Sequence, residues 1–247
     1  MKMKKMFLAA FMTAVLMCGN TLFAQSNSYL NLGLNIPQGE FGSQASICAL
    51  FNPVSTQGGA GLGANVGIKS IFNTKVKGLG IMLTLDGMYN GLQKEIKSHN
   101  QTGIPELAGL DVKTKNPSYI NVPLMLGLNY ELSLTNAIGL YVEGGVGANG
   151  RFILPYKKST QAELFPGVTT NISYENHYTP KVAFAFQFGG GIMINKSLAI
   201  GVNYYNLGTS AVSGKVDNVL SNYLNQEFTY KELSTSMLIV RLGIRLQ

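Results

Sequence analysis

The chain has 247 residues, of which 46% are hydrophobic and only 13% are charged, and it contains 29 glycines. This composition excludes a disordered polar chain, and so little charge is unusual for the surface of a water-soluble domain. The formal net charge of +7 falls to +4 when Lys2, Lys4 and Lys5 are removed with a leader segment. No basic stripe remains, so we expect no nucleic-acid partner.

The first 24 residues have the pattern of a secretory signal peptide. Three lysines precede an apolar run from Met6 to Met17, and Leu22-Phe23-Ala24 offers a small-residue cleavage site. The run is shorter than the roughly 20 residues of a spanning helix, and no later stretch is long and apolar enough to be one. We therefore expect residues 1–24 to be a signal peptide and residues 25–247 to form one exported domain.

The two cysteines predict no disulfide. Cys18 lies in the leader, where the bulky neighbour Met17 disfavours a lipidated cysteine, and its removal leaves Cys48 alone. The fold must then depend on packing and backbone pairing.

Eight segments with a hydrophobic period of two follow the leader. In each, aliphatic residues alternate with Gly, Ala, Asn and a few charged residues, which predicts strands with two different faces. Their length is of the order of the 9 to 11 residues that a tilted strand needs to cross a bilayer. In chain order the segments are 30–36, 62–69, 79–86, 120–129, 138–147, 182–189, 198–205 and 238–246.

The connections alternate between long and short. Long polar connections are expected at 37–59, 91–117, 154–180 and 209–231, and tight turns at 70–77, 133–136 and 195–197. This asymmetry is typical of bacterial outer-membrane barrels, with short periplasmic turns and long extracellular loops. The sequence therefore predicts an all-β, eight-stranded antiparallel up-and-down transmembrane β-barrel with both termini in the periplasm.

The composition of the two faces indicates which one points outward. A soluble lipocalin-like barrel also alternates, but its outer surface normally carries many Lys and Glu, which the non-aliphatic face here lacks. We expect the aliphatic face to meet lipid and the other face to fill a narrow interior. The predicted interior charge network is Lys69, Asp86, Glu131, Glu143, Arg241 and Arg245. The predicted membrane-interface aromatic residues are Phe72, Tyr89, Tyr130, Phe152, Tyr178 and Tyr204.

Two short motifs carry a family resemblance. The segment Tyr119-Ile120-Asn121-Val122-Pro123-Leu124 resembles the Y-x-x-x-P-L motif of the PorT-like outer-membrane barrel proteins of the Bacteroidetes. The segment Pro37-Gln38-Gly39-Glu40-Phe41 resembles the P-x-G-x-F sequence that often ends the first strand in related barrels. The resemblance implies an outer-membrane protein that contacts lipids, lipopolysaccharide and the barrel assembly machinery. Because the founding member of that family is implied in a protein-secretion apparatus, the resemblance also implies a link to protein secretion.

No catalytic, cofactor-binding or metal-binding residue is predicted. His99 and His177 lie in different long connections, and Ser98 beside His99 does not by itself define a catalytic geometry. Six lysines in the long connections could meet lipopolysaccharide phosphates or an acidic partner: Lys94, Lys97, Lys113, Lys115, Lys157 and Lys158. The sequence favours a non-enzymatic scaffold that displays long loops for adhesion, envelope contact or a secretion partner. The alternatives are a lipid-modifying enzyme, which needs a histidine near a serine and an acid, and a narrow pore, which needs an open interior.

Overall fold

The computed structural model describes residues 26–43, 57–94, 112–165, 168–218 and 226–246, and antiparallel strands dominate it. Those predictions that concern the signal peptide, Cys48, Lys97, Ser98 and His99 lie outside these residues. The strands are β1 (Ser26–Gln38), β2 (Ala60–Asn73), β3 (Leu79–Leu92), β4 (Val112–Lys115), β5 (Ser118–Ser133), β6 (Ile138–Ile153), β7 (Tyr156–Phe165), β8 (Val168–Tyr178), β9 (Lys181–Ile194), β10 (Leu198–Asn218) and β11 (Gln226–Leu246).

Eight of these strands close into a ring. The order around it is β1-β2-β3-β5-β6-β9-β10-β11, and β11 pairs with β1 from Ser28↔Leu246 to Gln38↔Ser236. Each of the eight alternating segments lies in its own ring strand. The predicted eight-stranded antiparallel up-and-down barrel is therefore confirmed.

Tight turns join ring strands at one end of the barrel, called here the short-turn end. They lie between β2 and β3, β5 and β6, and β9 and β10, as the sequence predicted. In the last of them Asn195 and Lys196 both have positive φ, at 50° and 56°, as in the hairpin turns whose twist matches that of the flanking strands. The opposite end is called the long-connection end.

Three of the expected long connections contain more strand than the sequence pattern indicated. In 154–180 the strands β7 and β8 pair with each other, β4 lies in 91–117, and β10 and β11 each run for 21 residues. Register shifts between Asn206 and Thr209, and between Ala211 and Ser213, break the alternation that would have revealed the longer strands. Beyond the ring, β11, β10, β8, β7 and β4 pair in that order, and this part is called here the extension sheet.

The barrel has apolar side chains on its outer surface and charged side chains inside, which is the reverse of a water-soluble protein. Leu62 and Val182 on its outer face are both 77% exposed, whereas Lys69 and Asp86 inside are at most 2% exposed. The aliphatic face thus points outward, as its chemistry predicted. Among the described residues, no helix is long and apolar enough to cross a membrane.

Candidate functional site in the barrel interior and at its ends

A buried ion pair joins opposite walls of the barrel. Lys69 Nζ on β2 lies 2.8 Å from Glu143 Oε2 on β6, and both side chains are at most 2% exposed. Asn203 Nδ2 donates to Glu143 Oε1 at 2.6 Å. The Lys69 ammonium also lies over the rings of Tyr141 and Tyr29, at 4.8 and 5.6 Å from their centroids. The charges are thus paired and hydrogen-bonded, which their burial requires.

A second buried pair lies nearby. Arg241 Nη2 on β11 lies 3.2 Å from Asp86 Oδ2 on β3, and it donates to Tyr205 Oη at 2.8 Å. Tyr205 Oη donates in turn to Asp86 Oδ2 at 2.9 Å, and Asn65 Nδ2 donates to Asp86 Oδ1 at 3.3 Å. These bonds connect four strands across the barrel.

Inward-facing glycines leave room for this network. An ideal Cβ at Gly67 would lie 2.0 Å from Asp86 Oδ1, and one at Gly201 would lie 2.1 Å from Tyr141 Oη. Real Cβ atoms do not approach other atoms so closely. The small residues of the interior face therefore provide the space that the large polar side chains occupy.

Glu131 and Arg245 occupy strand positions that alternate with the outward-facing aliphatic residues, but they lie apart from the two buried pairs. Arg245 is exposed and donates to the side chain of Asn27, and Glu131 lines a cavity of about 490 Å³ at the short-turn end. This cavity has Tyr29 and Ile71 in its wall. These two members of the predicted network thus lie at the open end of the barrel, away from Glu143 and Asp86.

An apolar cluster fills the long-connection end, and it unites the two sequence motifs. The Phe41 and Tyr119 rings pack edge to face with centroids 4.9 Å apart, and both side chains are fully buried. Tyr119 Oη also donates to Gly58 O at 2.6 Å. Leu207, Leu233, Met237 and other buried residues complete the cluster. The motif residues thus close one end of the barrel.

A buried arginine in this region was not predicted from the sequence. Arg151 on β6 is 4% exposed, and its guanidinium donates to Ser210 O at 2.8 Å, Leu233 O at 3.1 Å and Thr235 Oγ1 at 3.3 Å. It therefore ties β6 to β10 and β11 where these strands leave the ring. Arg151 and Glu143 are separated by an even number of positions on the same strand and therefore point to the same face. This spacing was the signal that could have revealed the buried arginine.

The predicted interface aromatic residues fall into two groups. Tyr89, Tyr130 and Phe152 are 42 to 48% exposed on the outer face. Phe72 and Tyr204 are partly buried on the same face, and Tyr204 packs beside Phe188 with ring centroids 5.3 Å apart. Tyr178 lies at the end of β8 in the extension sheet, where its ring packs against Phe228 at 5.9 Å and adjoins the apolar cluster.

His177 lies in the extension sheet among charged residues. Its Nε2 atom is 3.5 Å from Glu175 Oε1 and 3.7 Å from Asp217 Oδ2. Lys157 pairs with Glu175 and Lys215 with Glu227 on either side of it. In the described part of the chain His177 thus contacts carboxylates rather than a serine hydroxyl. No group of three His, Cys, Asp or Glu there could hold a metal ion.

No protein-family model matches the chain, and no curated protein matches it. Among solved structures it is similar to Ail, the attachment invasion locus protein of Yersinia pestis, with 12% identity and a TM-score of 0.39 over 90% of this chain and 99% of that one. It is also similar to a major outer membrane protein from Thermus thermophilus, with 11% identity and a TM-score of 0.42 over the same shares. Values this low carry no inference about the present chain.

Proposed function

We propose that the chain is an integral outer-membrane β-barrel protein that acts as a non-enzymatic scaffold. The observation that carries this proposal is the inverted polarity of the closed ring. Aliphatic side chains such as Leu34, Leu126 and Val182 cover its outer face, while the charged side chains Lys69 and Glu143 are sealed inside. A continuous apolar surface of this size is not stable in water, whereas it matches the hydrocarbon of a bilayer.

Ring closure supports the same proposal. In hydrocarbon every backbone donor and acceptor must be satisfied within the protein, and the pairing of β1 with β11 closes the described strands into a ring. Membrane barrels of this kind belong to outer membranes, which agrees with the signal peptide predicted for residues 1–24. On this proposal the short turns face the periplasm and the extension sheet lies outside the cell.

The extension sheet is the part of the molecule that we assign to contact with a partner. Its last strand, β4, pairs only with β7 in the described residues, and Lys115 lies in register with Lys157. An edge strand with adjacent lysines suits lipopolysaccharide phosphates or an acidic surface or secretion partner. The contact between Phe41 and Tyr119 gives the PorT-like motifs a common structural role, so we also propose kinship with those barrels of the Bacteroidetes.

Lipid exposure can be tested with a charge on the outer face. Leu126, 58% exposed at the middle of β5, would face the hydrocarbon core, where an arginine costs about 2–4 kcal/mol. We expect Leu126→Arg to reduce the outer-membrane fraction and the heat-modifiable band that marks a folded barrel on electrophoresis without boiling. The control Lys157→Arg, on the extension sheet, should match the wild type. A wild-type protein that is water-soluble and unaffected by Leu126→Arg would overturn the proposal.

A further inference from the structure

The wall of the barrel has a gap near the long-connection end. The β1–β2 ladder ends at Asn35↔Gly63, although β1 continues to Gln38 along β11 and β2 begins at Ala60. Pro37 has no N–H with which to extend the ladder. Beyond the gap, Ala60 N donates to Phe41 O at 2.9 Å and rejoins the two segments.

A cavity of about 510 Å³ occupies this gap, within the usual range for small-molecule sites. Ile36, Leu62 and Tyr89 line it on the outer face, and the last two are 77% and 48% exposed. Ala60 and Leu92 line its inner part, and both belong to the apolar cluster that closes the barrel. The cavity therefore lies where the outer aliphatic surface meets the edge of the apolar cluster.

Two polar side chains, Gln93 and Lys94, mark the end of this cavity. Gln93 Nε2 donates to Gly42 O at 2.8 Å and to Ala60 O at 3.3 Å. Its amide oxygen is buried and accepts no hydrogen bond from the described residues. The cavity thus combines the apolar side chains of Ile36, Leu62 and Leu92 with a polar end, a pattern that fits an amphiphile with an apolar chain and a polar head group.

We propose that this cavity is a binding site for one acyl chain of a membrane lipid, with the lipid head group at the polar end formed by Gln93 and Lys94. The inference rests on the proposed function, because only a membrane barrel presents the entrance between Leu62 and Tyr89 to lipid. That position selects a lipid rather than a water-borne ligand. Interface aromatic residues such as Tyr89 also lie at the depth of lipid head groups.

Native mass spectrometry of the full chain tests the site. Wild-type protein is reconstituted in phosphatidylethanolamine vesicles, transferred to mild detergent and measured for retained lipid. Gly61→Leu fills the cavity, while Gly87→Leu adds the same side chain on the outer face of β3, where an ideal Cβ is 3.7 Å from its nearest neighbour, Val66 O. We expect one retained lipid on the wild type and on Gly87→Leu, and none on Gly61→Leu.

The heat-modifiable band of each preparation separates the two proposals. A folded wild-type barrel that retains no lipid, or a folded Gly61→Leu protein that retains as much as the wild type, overturns the lipid site and leaves the barrel assignment intact. Loss of the band from the wild type would instead contradict the barrel itself. If Gly61→Leu does not fold, Gln93→Met replaces it, and retention of lipid equal to that of the wild type would again overturn the site.

Discussion

At the scale of single residues, the barrel interior depends on charge pairing. Lys69 and Glu143 are buried together, so the removal of one partner leaves the other charge without water and without its counter-ion. We expect Lys69→Met and Glu143→Gln each to lower the free energy of unfolding by about 3–5 kcal/mol. The free energy is measured by urea unfolding of the vesicle-inserted protein. Loss of the heat-modifiable band reports the unfolded fraction, and its midpoint is compared between variants.

The double variant Lys69→Met/Glu143→Gln distinguishes pairing from simple loss of packing. It removes both charges, so its destabilisation should be smaller than the sum of the two single effects. The control Lys157→Met breaks a pair in which Lys157 is half exposed, and it should change the stability by no more than about 1 kcal/mol. Single variants as stable as the wild type would contradict the role of the buried pair.

The residue pattern predicted faces well and positions along the barrel axis less well. Alternation placed Lys69, Asp86 and Arg241 inside because side chains of a strand point to opposite faces with period two. It gave no information on depth, so Glu131 at the open end could not be separated from Glu143 in the centre. The contact of Phe41 with Tyr119 could not be predicted either, because it joins residues that are far apart in the sequence and depends on where Phe41, which follows β1, packs against β5.

At the scale of elements, the extension sheet is held to the barrel by β10. Gly214 of that strand is paired with Phe228 on one side and Tyr178 on the other, and an ideal Cβ there would lie 2.0 Å from His177 O. We expect Gly214→Val to separate the β7–β8 hairpin from β10. The ring should persist, because β9 pairs with β10 only between Leu198 and Asn206.

Limited proteolysis of the vesicle-inserted protein can measure this separation. Cleavage within residues 156–178 should become faster in Gly214→Val, while the heat-modifiable band of the intact ring remains. Gly87→Leu, which changes a glycine on the outer face of β3, serves as the control and should be cleaved like the wild type. Unchanged cleavage in Gly214→Val would show that the hairpin is held by other contacts.

The same strands show why fewer strand residues were predicted outside the ring than the structure contains. In β10 the register shift between Asn206 and Thr209 allows Leu207 and Val212 both to be buried, although they are separated by an odd number of positions. A strict period of two cannot follow a strand across such bulges. The hairpin β7–β8 was missed for another reason: its Ser, Thr, Asn and Lys residues form strands without an aliphatic face of their own.

At the scale of the whole molecule, the filled interior favours the proposed scaffold over a pore. Eight strands enclose a space that side chains can fill, and here two buried ion pairs occupy it below the apolar cluster of Phe41, Tyr119 and Leu233. An ion crossing the barrel would have to displace both layers. We therefore expect the purified, heat-modifiable protein to give no stepwise conductance in planar bilayers.

A variant that removes one side chain from the apolar cluster makes this test stronger. Phe41→Ala removes a fully buried ring from the apolar cluster and should cost about 3–5 kcal/mol of stability, yet it leaves the Lys69–Glu143 and Arg241–Asp86 pairs in place. If the two layers seal the barrel independently, this variant should be less resistant to urea and still non-conducting. Steady conductance in the wild type would mean that the interior opens in a membrane, and the pore would replace the scaffold as the function of the barrel.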